Sequence, residues 1–529
     1  MGAKPLFRKH AYYLSMCLLV APLVATAQDL PVEPPTALQS ALAQLPSDCP
    51  ALAVQLDGPT RLRLQAFYLQ HDNVALWSGN DRLAALQAQL PLLADDGLDP
   101  ASYSLPLDPG AGNALCTDIE ISRQYLRALQ DLHFGRLSQA RFEPLWHAQP
   151  GAQDPDTRLL TLAATGLQDM ALGFDQARPN VELYRRLRHL YALQRRLPLA
   201  DWPVVAGGPL LRPGMEDARV PVLAARLLAE GYLEGRPGGP EKSYGRELAD
   251  AVKHFQLQHS LQSDGVIGSG TLTELNIPAA QRREQLRINL ERFRWLAPDL
   301  EPEGVLVNVA AAQLSVYHDG APIWQTRLQV GRAERQTPLL KSQVTRLTLN
   351  PTWTVPPTIL REDMLPAIRL DPTAYLAQHN LQVLDREGHP LAADSIDWER
   401  PGNILLRQGA GARNPLGKIV LRFPNPFSVY LHDTPSQPLF AKGPRAFSSG
   451  CVRVEQPLQL RDLLLTSAEQ ARTDELLASG DTHEFRVAAP VPILLGYWTV
   501  QVDSDGTLLY APDIYGRDPL LLKALGSSS

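Results

Sequence analysis

Cys451, His432 and Arg453 are the residues of this chain whose types and spacing could do covalent chemistry. His432 stands 19 positions before Cys451 in the window Tyr430-Leu-His-Asp-Thr-Pro435 through Phe447-Ser-Ser-Gly-Cys-Val-Arg-Val454. A thiol acts as a nucleophile when a nearby imidazole takes its proton and backbone N–H groups receive the developing oxyanion. Residues two apart in a strand share a face, so Tyr430 and His432 point one way while Val429 and Leu431 face the core. The same parity sets Cys451 and Arg453 against Val452 and Val454. Gly450 lets the backbone approach a ligand closely. A lone histidine is usually a satisfied core residue, and a lone arginine is usually a solvated charge. It is their joint placement that points to one cleft.

The elements that must hold this window form a β-rich region from about residue 304. Val305–Ala310, Gln313–Tyr317 and Trp324–Val330 alternate as strands do, and His318-Asp319-Gly320 supplies a hairpin turn. Val344–Leu349, Lys418–Phe423 and Phe427–His432 continue the series. A helical and loop insertion at about 357–405 interrupts it, and an insertion of that length is often a lid. Its pattern offers Leu365, Ile368, Leu370, Tyr375 and Leu376 for one buried face.

Upstream, residues 28–205 read as a helical scaffold, with three- and four-residue apolar spacing in Thr60–Gln70, Arg82–Leu93 and Ile121–Phe134. No ionisable cluster stands out there. The Pro/Gly-rich stretch 201–215 leads to a small domain at 206–280. Its helical patterns are Val220–Glu230, Gly245–His259 and Ser269–Leu275, with Asp264-Gly265 as a tight turn. An Arg- and Glu-rich helix, Ala279–Leu296, precedes the β-rich domain at 300–490, and 491–529 forms a C-terminal segment. The fold class expected is multidomain α+β.

The chain has 529 residues and 44% hydrophobic content, enough for several packed domains. Its net charge of −6 leaves no basic excess to neutralise phosphates, which excludes nucleic acid as a partner. Residues 1–27 read as a signal peptide. Lys4, Arg8 and Lys9 precede an apolar run, and Ala25-Thr26-Ala27 forms a cleavage site. An uncleaved anchor is the alternative, but the run is short and holds Pro22. Export implies an oxidising compartment. Of the cysteines that remain, Cys49 and Cys116 are expected to form a bridge, leaving Cys451 as a free thiol. HExxH, CxxC and P-loop patterns are absent, so neither a metal nor a nucleotide cofactor is expected.

Two resemblances refine this reading. Ala251-Val-Lys-His-Phe-Gln256, His259, Asp264–Gly268 and Thr271-Leu272 resemble the peptidoglycan-binding type 1 module. His432, Ser448, Ser449, Gly450, Cys451 and Arg453 resemble the signature of the YkuD-type L,D-transpeptidase family, in its long multidomain Gram-negative branch. Ser449 occupies a position often held by His. Gln336-Thr-Pro338, Asn350–Pro356, Arg407-Gln408, Asn414–Gly417 and Tyr497-Trp498-Thr499 extend the likeness. The resemblance implies a periplasmic enzyme acting on peptidoglycan stem peptides and glycan without a cofactor. Cys451 would attack the carbonyl between the third residue, meso-diaminopimelate, and D-Ala at position four. A second diaminopimelate amine would then accept the acyl group, giving a 3-3 cross-link. His432 would be the base, held by the backbone carbonyl of Asp433, with Ser449, Gly450 and Cys451 around the oxyanion. Tyr430, Trp353, Arg453 and Ser448 would contact substrate. Carbapenems would acylate Cys451, and contact with other wall-synthesis enzymes stays open. Hydrolysis of the same acyl-enzyme, an L,D-carboxypeptidase, is the alternative activity, and a non-catalytic wall-binding scaffold is the alternative role. Sortases also pair His, Cys and Arg, but with a different spacing.

Overall fold

The computed structural model describes residues 36–526 apart from 44, 46–48, 50–51, 53–55, 79, 107–113, 145, 147–153 and 236–241. The expected signal peptide, 1–27, lies outside the described residues.

The N-terminal region is helical, with its longest helices at Gly58–Leu69, Ala114–Phe134, Pro155–Gln168 and Glu182–Gln194. Aspartates start several of them. Asp57, Asp154 and Asp169 accept from the N–H groups of Thr60, Thr157 and Leu172, satisfying donors that a helix N-terminus leaves free. Leu64, Phe67, Tyr125, Leu129, Leu162 and Phe174 make its core. Cys49 and Cys116 form a disulfide across 67 positions of sequence. This region also holds buried charge that its sequence did not advertise. Asp118 accepts from the Tyr68 hydroxyl at 2.7 Å and from the Leu76 and Trp77 N–H groups at 2.9 and 2.8 Å.

Three helices, Val220–Ala229, Arg246–Gln258 and Ser269–Leu275, pack Leu223, Leu227, Val252, Phe255 and Leu275 into a separate small core. Gln256 pins the Asp264-Gly265 turn, donating to the Val266 carbonyl at 3.0 Å and accepting from the Gly265 N–H at 2.8 Å. The helix Ala279–Leu296 is the hub of the molecule. Despite its charge it is largely buried, because its buried cations meet carboxylates from a different part of the chain or from the helix's own preceding turn. Arg282 pairs with Glu274 at 2.8 Å, Arg292 with Asp518 at 2.5 Å, and Arg294 with Glu291 at 2.6 Å. A buried charge is tolerated only when paired in this way.

The strands, in chain order, are β1 (Gly304–Asn308), β2 (Gln313–His318), β3 (Ala321–Gly331), β4 (Leu340–Leu349), β5 (Trp353–Thr354), β6 (Leu381–Leu384) and β7 (Leu405–Gln408). They continue with β8 (Ile419–Arg422), β9 (Leu431–His432), β10 (Ala446–Ser448), β11 (Val452–Val454), β12 (His483–Gly496), β13 (Val500–Val502) and β14 (Leu508–Tyr510). A nine-stranded sheet runs in the order β10-β3-β11-β9-β8-β4-β12-β1-β2. Because β3 also pairs with β2, the sheet closes on itself, with β10 added to β3. Closure hides the sheet edges and fills the interior with Val307, Leu314, Leu328, Leu347, Leu421, Leu431 and Val452. The Asp319-Gly320 turn joins β2 to β3 with φ of +51° and +75°, which is why Asp and Gly stand there.

The structure departs from the sequence expectation in four places. The strand expected over Phe427–His432 is only Leu431–His432. The Asn425 side chain takes up the Val429 peptide instead, donating to its carbonyl at 2.8 Å and accepting from its N–H at 3.1 Å. The boundary drawn at 490/491 falls inside β12, which pairs with β1 and β4, so the C-terminal segment begins within the sheet. The insertion contains a strand, β6, and forms a small β5-β7-β6 sheet with its own core of Leu360, Met364, Ile368, Leu376, Val383 and Trp398. Leu370, expected on its buried face, is 88% exposed. Pro366 and Pro372 break the helical pattern into short pieces, and the turn before Pro366 is a π-turn. Among the described residues, no helix is long and apolar enough to cross a membrane.

Candidate active site

β9 and β11 run parallel, with Leu431 beside Val452 and His432 beside Arg453. The Val452 N–H donates to the Tyr430 carbonyl at 3.1 Å, so Cys451 starts its strand alongside Tyr430. Val452 and Val454 are buried in the barrel, whereas Cys451 and Arg453 are partly exposed on the other face. The Tyr430 and His432 rings lie 5.7 Å apart, edge to face. Tyr430, His432, Cys451 and Arg453 thus share one surface.

His432 is buried, and its Nδ1 lies 2.5 Å from the carbonyl of Asp433. A carbonyl only accepts, so Nδ1 carries the proton and Nε2 presents a lone pair. Burial, then the Arg453 guanidinium, pushes the His432 pKa down to about 3, while the carbonyls of Asp433 and Pro415 oppose this. The ring is neutral at physiological pH. The Asp433 carboxylate does other work: it accepts from the Lys418 and Thr434 N–H groups at 2.8 and 2.7 Å. That leaves its carbonyl to orient the imidazole.

The Cys451 thiol approaches the Ser428 carbonyl at 3.9 Å. Burial raises its pKa, against hydrogen bonds from Tyr430 and the charges of Arg453 and Arg422. The resting pair is therefore neutral thiol and neutral imidazole. Gly450, at φ +112°, makes the turn into Cys451 in a conformation that other residues rarely adopt. Ser448 ties this turn together: its hydroxyl donates to the Cys451 carbonyl at 2.5 Å and accepts from the Gly450 N–H at 3.1 Å. Thr337 braces the turn from outside, donating to the Gly450 carbonyl at 2.9 Å.

Arg453 donates to Gln329 at 3.1 Å, and among the described residues its Nε has no hydrogen-bond partner. A half-buried guanidinium held by an amide and not by a carboxylate is suited to a carboxylate ligand. Trp353 stands apart from this group. It lines a cavity of about 240 Å³ under the insertion with Met364, Tyr375, His379 and Pro415. Its link to His432 runs through Pro415, whose carbonyl faces the imidazole. Ser449 is exposed, and its hydroxyl accepts from Arg335 at 3.0 Å. Arg335 also grips the insertion, through Glu362 at 2.7 Å and Asp363 at 2.6 Å.

Sequence reasoning missed the carbonyls of Ser428 and Pro415, because any residue type supplies a carbonyl. It also assigned no role to Arg335 or Gln329, and it marked Thr337 only as part of the Gln336-Thr-Pro338 stretch.

Residues 302–493 match the L,D-transpeptidase catalytic domain family (YkuD), residues 63–190 a scaffold domain family, and residues 216–275 a family described as "Putative peptidoglycan binding domain". A protein of Haemophilus influenzae named "Putative L,D-transpeptidase" is 35% identical over 292 residues, covering 53% of this chain and 59% of the relative. The chain thus spans about six tenths of that relative's length. Two solved structures are also similar. An L,D-transpeptidase from Xylanimonas cellulosilytica is 16% identical with a TM-score of 0.18, covering 55% of this chain and 98% of that one. An L,D-transpeptidase from Stackebrandtia nassauensis is 13% identical with a TM-score of 0.21, covering 56% and 97%. The chain therefore carries a YkuD-type L,D-transpeptidase catalytic domain joined to a peptidoglycan-binding module.

Proposed function

We propose that the protein is a cysteine-dependent L,D-transpeptidase of the periplasm that forms 3-3 cross-links from tetrapeptide stems. The supporting observation is a neutral imidazole of fixed tautomer on the same surface as a free thiol, beside a guanidinium with an unused donor. His432 Nε2 takes the thiol proton as sulfur attacks the carbonyl of the third stem residue, and the proton passes to the departing D-Ala amine. The C–N bond breaks and a thioester forms. Gly450 N–H is already engaged by Ser448, so the N–H groups of Ser449 and Cys451 are the oxyanion donors we assign. Arg453 and Tyr430 hold the stem, with Arg453 on a carboxylate. A second diaminopimelate amine then gives a proton to His432 and displaces the thiol. Trp353 belongs to the floor of the cap cavity and meets the acceptor side.

Incubation with a purified disaccharide-tetrapeptide, followed by mass spectrometry of the products, tests this. The expected products are free D-Ala and a dimer linked between two diaminopimelates, both absent with Cys451→Ala. Tripeptide without dimer would make the enzyme an L,D-carboxypeptidase. Unchanged substrate would leave a wall-binding scaffold.

A further inference from the structure

Three successive peptide groups set the shape of the nucleophile turn, and each is anchored. The Ser448 hydroxyl accepts from the Gly450 N–H and donates to the Cys451 carbonyl, while the Val452 N–H donates to the Tyr430 carbonyl. The remaining peptide, between Gly450 and Cys451, is held through its carbonyl, which accepts from the Thr337 hydroxyl at 2.9 Å. A trans peptide is planar, so its C=O and N–H point in opposite directions. Fixing the Gly450 carbonyl therefore fixes the direction of the Cys451 N–H. It also strengthens that donor, because an amide whose oxygen accepts a hydrogen bond is polarised by it. Glycine gives this peptide little restraint of its own, so the direction depends on the anchor.

Thr337 is itself held by a distant part of the chain. It is fully buried, and it closes the loop that follows β3 by accepting from the Gly331 N–H at 2.9 Å. Tyr515 locks the same loop from the other side. Its hydroxyl donates to the Gly331 carbonyl at 2.8 Å and accepts from the Thr337 N–H at 3.0 Å. One phenol thus joins both ends of the loop. The loop has no slack to absorb a shift, since a Cβ on Gly331 would fall 2.2 Å from the Arg335 carbonyl oxygen. Tyr515 is held in turn. Its ring stacks on Tyr497 with centroids 5.5 Å apart, and the Arg517 guanidinium lies 5.3 Å from it. Arg517 pairs with Glu143 of the helical region and donates to the Gln336 side chain at 2.8 Å. Tyr515 lies beyond residues 302–493, the span that matches the catalytic domain family.

We infer that Tyr515, from the C-terminal segment, is a positioning residue of the nucleophile turn: acting through Thr337, it aims the Cys451 N–H at the oxyanion. The inference rests on the acyl-enzyme chemistry proposed above and adds to it a residue outside the matched catalytic domain. Two reactions of the same thiol separate aim from mere integrity of the turn. When a carbapenem acylates Cys451, sulfur adds to the lactam carbonyl and its oxygen becomes an oxyanion. The C–N bond then opens, and the thiol proton passes through His432 to the ring nitrogen. When iodoacetamide alkylates Cys451, sulfur displaces iodide at a saturated carbon, the proton leaves through His432, and no oxyanion forms.

Tyr515→Phe removes the phenol hydroxyl and keeps the stacked ring. Thr337→Val removes the second hydroxyl at nearly the same shape, and Thr337→Ser retains it. Both reactions are followed on the full chain by intact mass, with carbapenem concentration varied to separate binding from the acylation step. We expect Tyr515→Phe and Thr337→Val to slow acylation at saturation about fivefold or more, the worth of one neutral hydrogen bond. The loss should stay below the roughly 10²–10³-fold that follows removal of an oxyanion donor itself. Alkylation and the half-saturating carbapenem concentration should change less than about twofold, because neither involves the oxyanion. Thr337→Ser should keep most of the acylation rate. The double variant Tyr515→Phe/Thr337→Val should be no slower than Thr337→Val alone, since both act on one peptide. Acylation of Tyr515→Phe at the wild-type rate would overturn the inference. So would equal slowing of acylation and alkylation, the mark of a turn that has merely loosened. Both outcomes leave Cys451 as the nucleophile. A wild-type protein that reacts with iodoacetamide but forms no carbapenem adduct would instead remove the acyl-enzyme reading, and the inference with it.

Discussion

The electrostatics of His432 make a quantitative demand on the pH dependence of acylation. With its pKa near 3 and the Cys451 thiol raised, the neutral pair persists from pH 5 to 8. An ordinary histidine with a pKa of 6.5 would be about 3% neutral at pH 5, which slows a general-base reaction roughly thirtyfold relative to pH 8. A pKa of about 3 leaves the base about 99% available, so the acylation rate should change less than about twofold over that range. The assay is the single-turnover rate of carbapenem adduct formation, read by intact mass at pH 5, 6, 7 and 8. Folding must be checked in parallel. His432 and His259 both have folded-state values of about 3, below the ordinary 6.5, so between those limits the unfolded chain binds protons that the native state does not. Stability is therefore full above about pH 6.5 and falls as pH is lowered, by about 2 kcal/mol for each histidine at pH 5. Circular dichroism at pH 5 separates this loss from chemistry. A rate that drops more than tenfold with a midpoint near 6.5 would refute the neutral base. A tenfold rise per pH unit would show free thiolate attacking alone. Because burial is the main cause of the shift and Arg453 the next, Arg453→Gln should raise the histidine pKa while keeping it below 6.5.

Three further outcomes follow from the geometry. Cys451→Ala should remove the carbapenem adduct without lowering the melting temperature, and peptide mapping should find Cys49 joined to Cys116 in the non-reduced protein. Gly450→Ala has room for its methyl group, the nearest atom being Gln336 O at 3.6 Å, so its effect is conformational. The φ of +112° should cost about 1–3 kcal/mol, and displacement of the turn should slow acylation by roughly 10²-fold or more, measured by denaturation and adduct kinetics. Replacing 357–405 with a Gly/Ser linker should leave the barrel folded, since the insertion has its own core, and should lower the ratio of cross-linked product to hydrolysed tripeptide. An unchanged ratio would remove the lid role.

Much of the site could be read along the chain because strand parity is local. The two-residue period alone puts Tyr430 with His432 and Cys451 with Arg453, and the valines between them mark the core side. The Asp319-Gly320 turn, the three helices of the small module and the span of the Ala279–Leu296 helix are likewise written in nearest-neighbour preferences. Asn425 shows where such reading stops: its side chain replaces ladder partners, so a sequence fit for a strand becomes a turn. Burial is the other limit. Nothing local says that Arg292 lies inside, because its partner Asp518 is separated from it by 226 positions. The same holds for chemistry. Residue types name a base and a nucleophile, but the protonation of His432 depends on desolvation and on Arg453 arriving from another strand. The sequence by itself determined which side chains are available to the candidate site and which face strand parity gives them. Only the tertiary structure decided their charge state and the carbonyls of Pro415, Ser428 and Asp433 around them, because each depends on long-range packing that removes water.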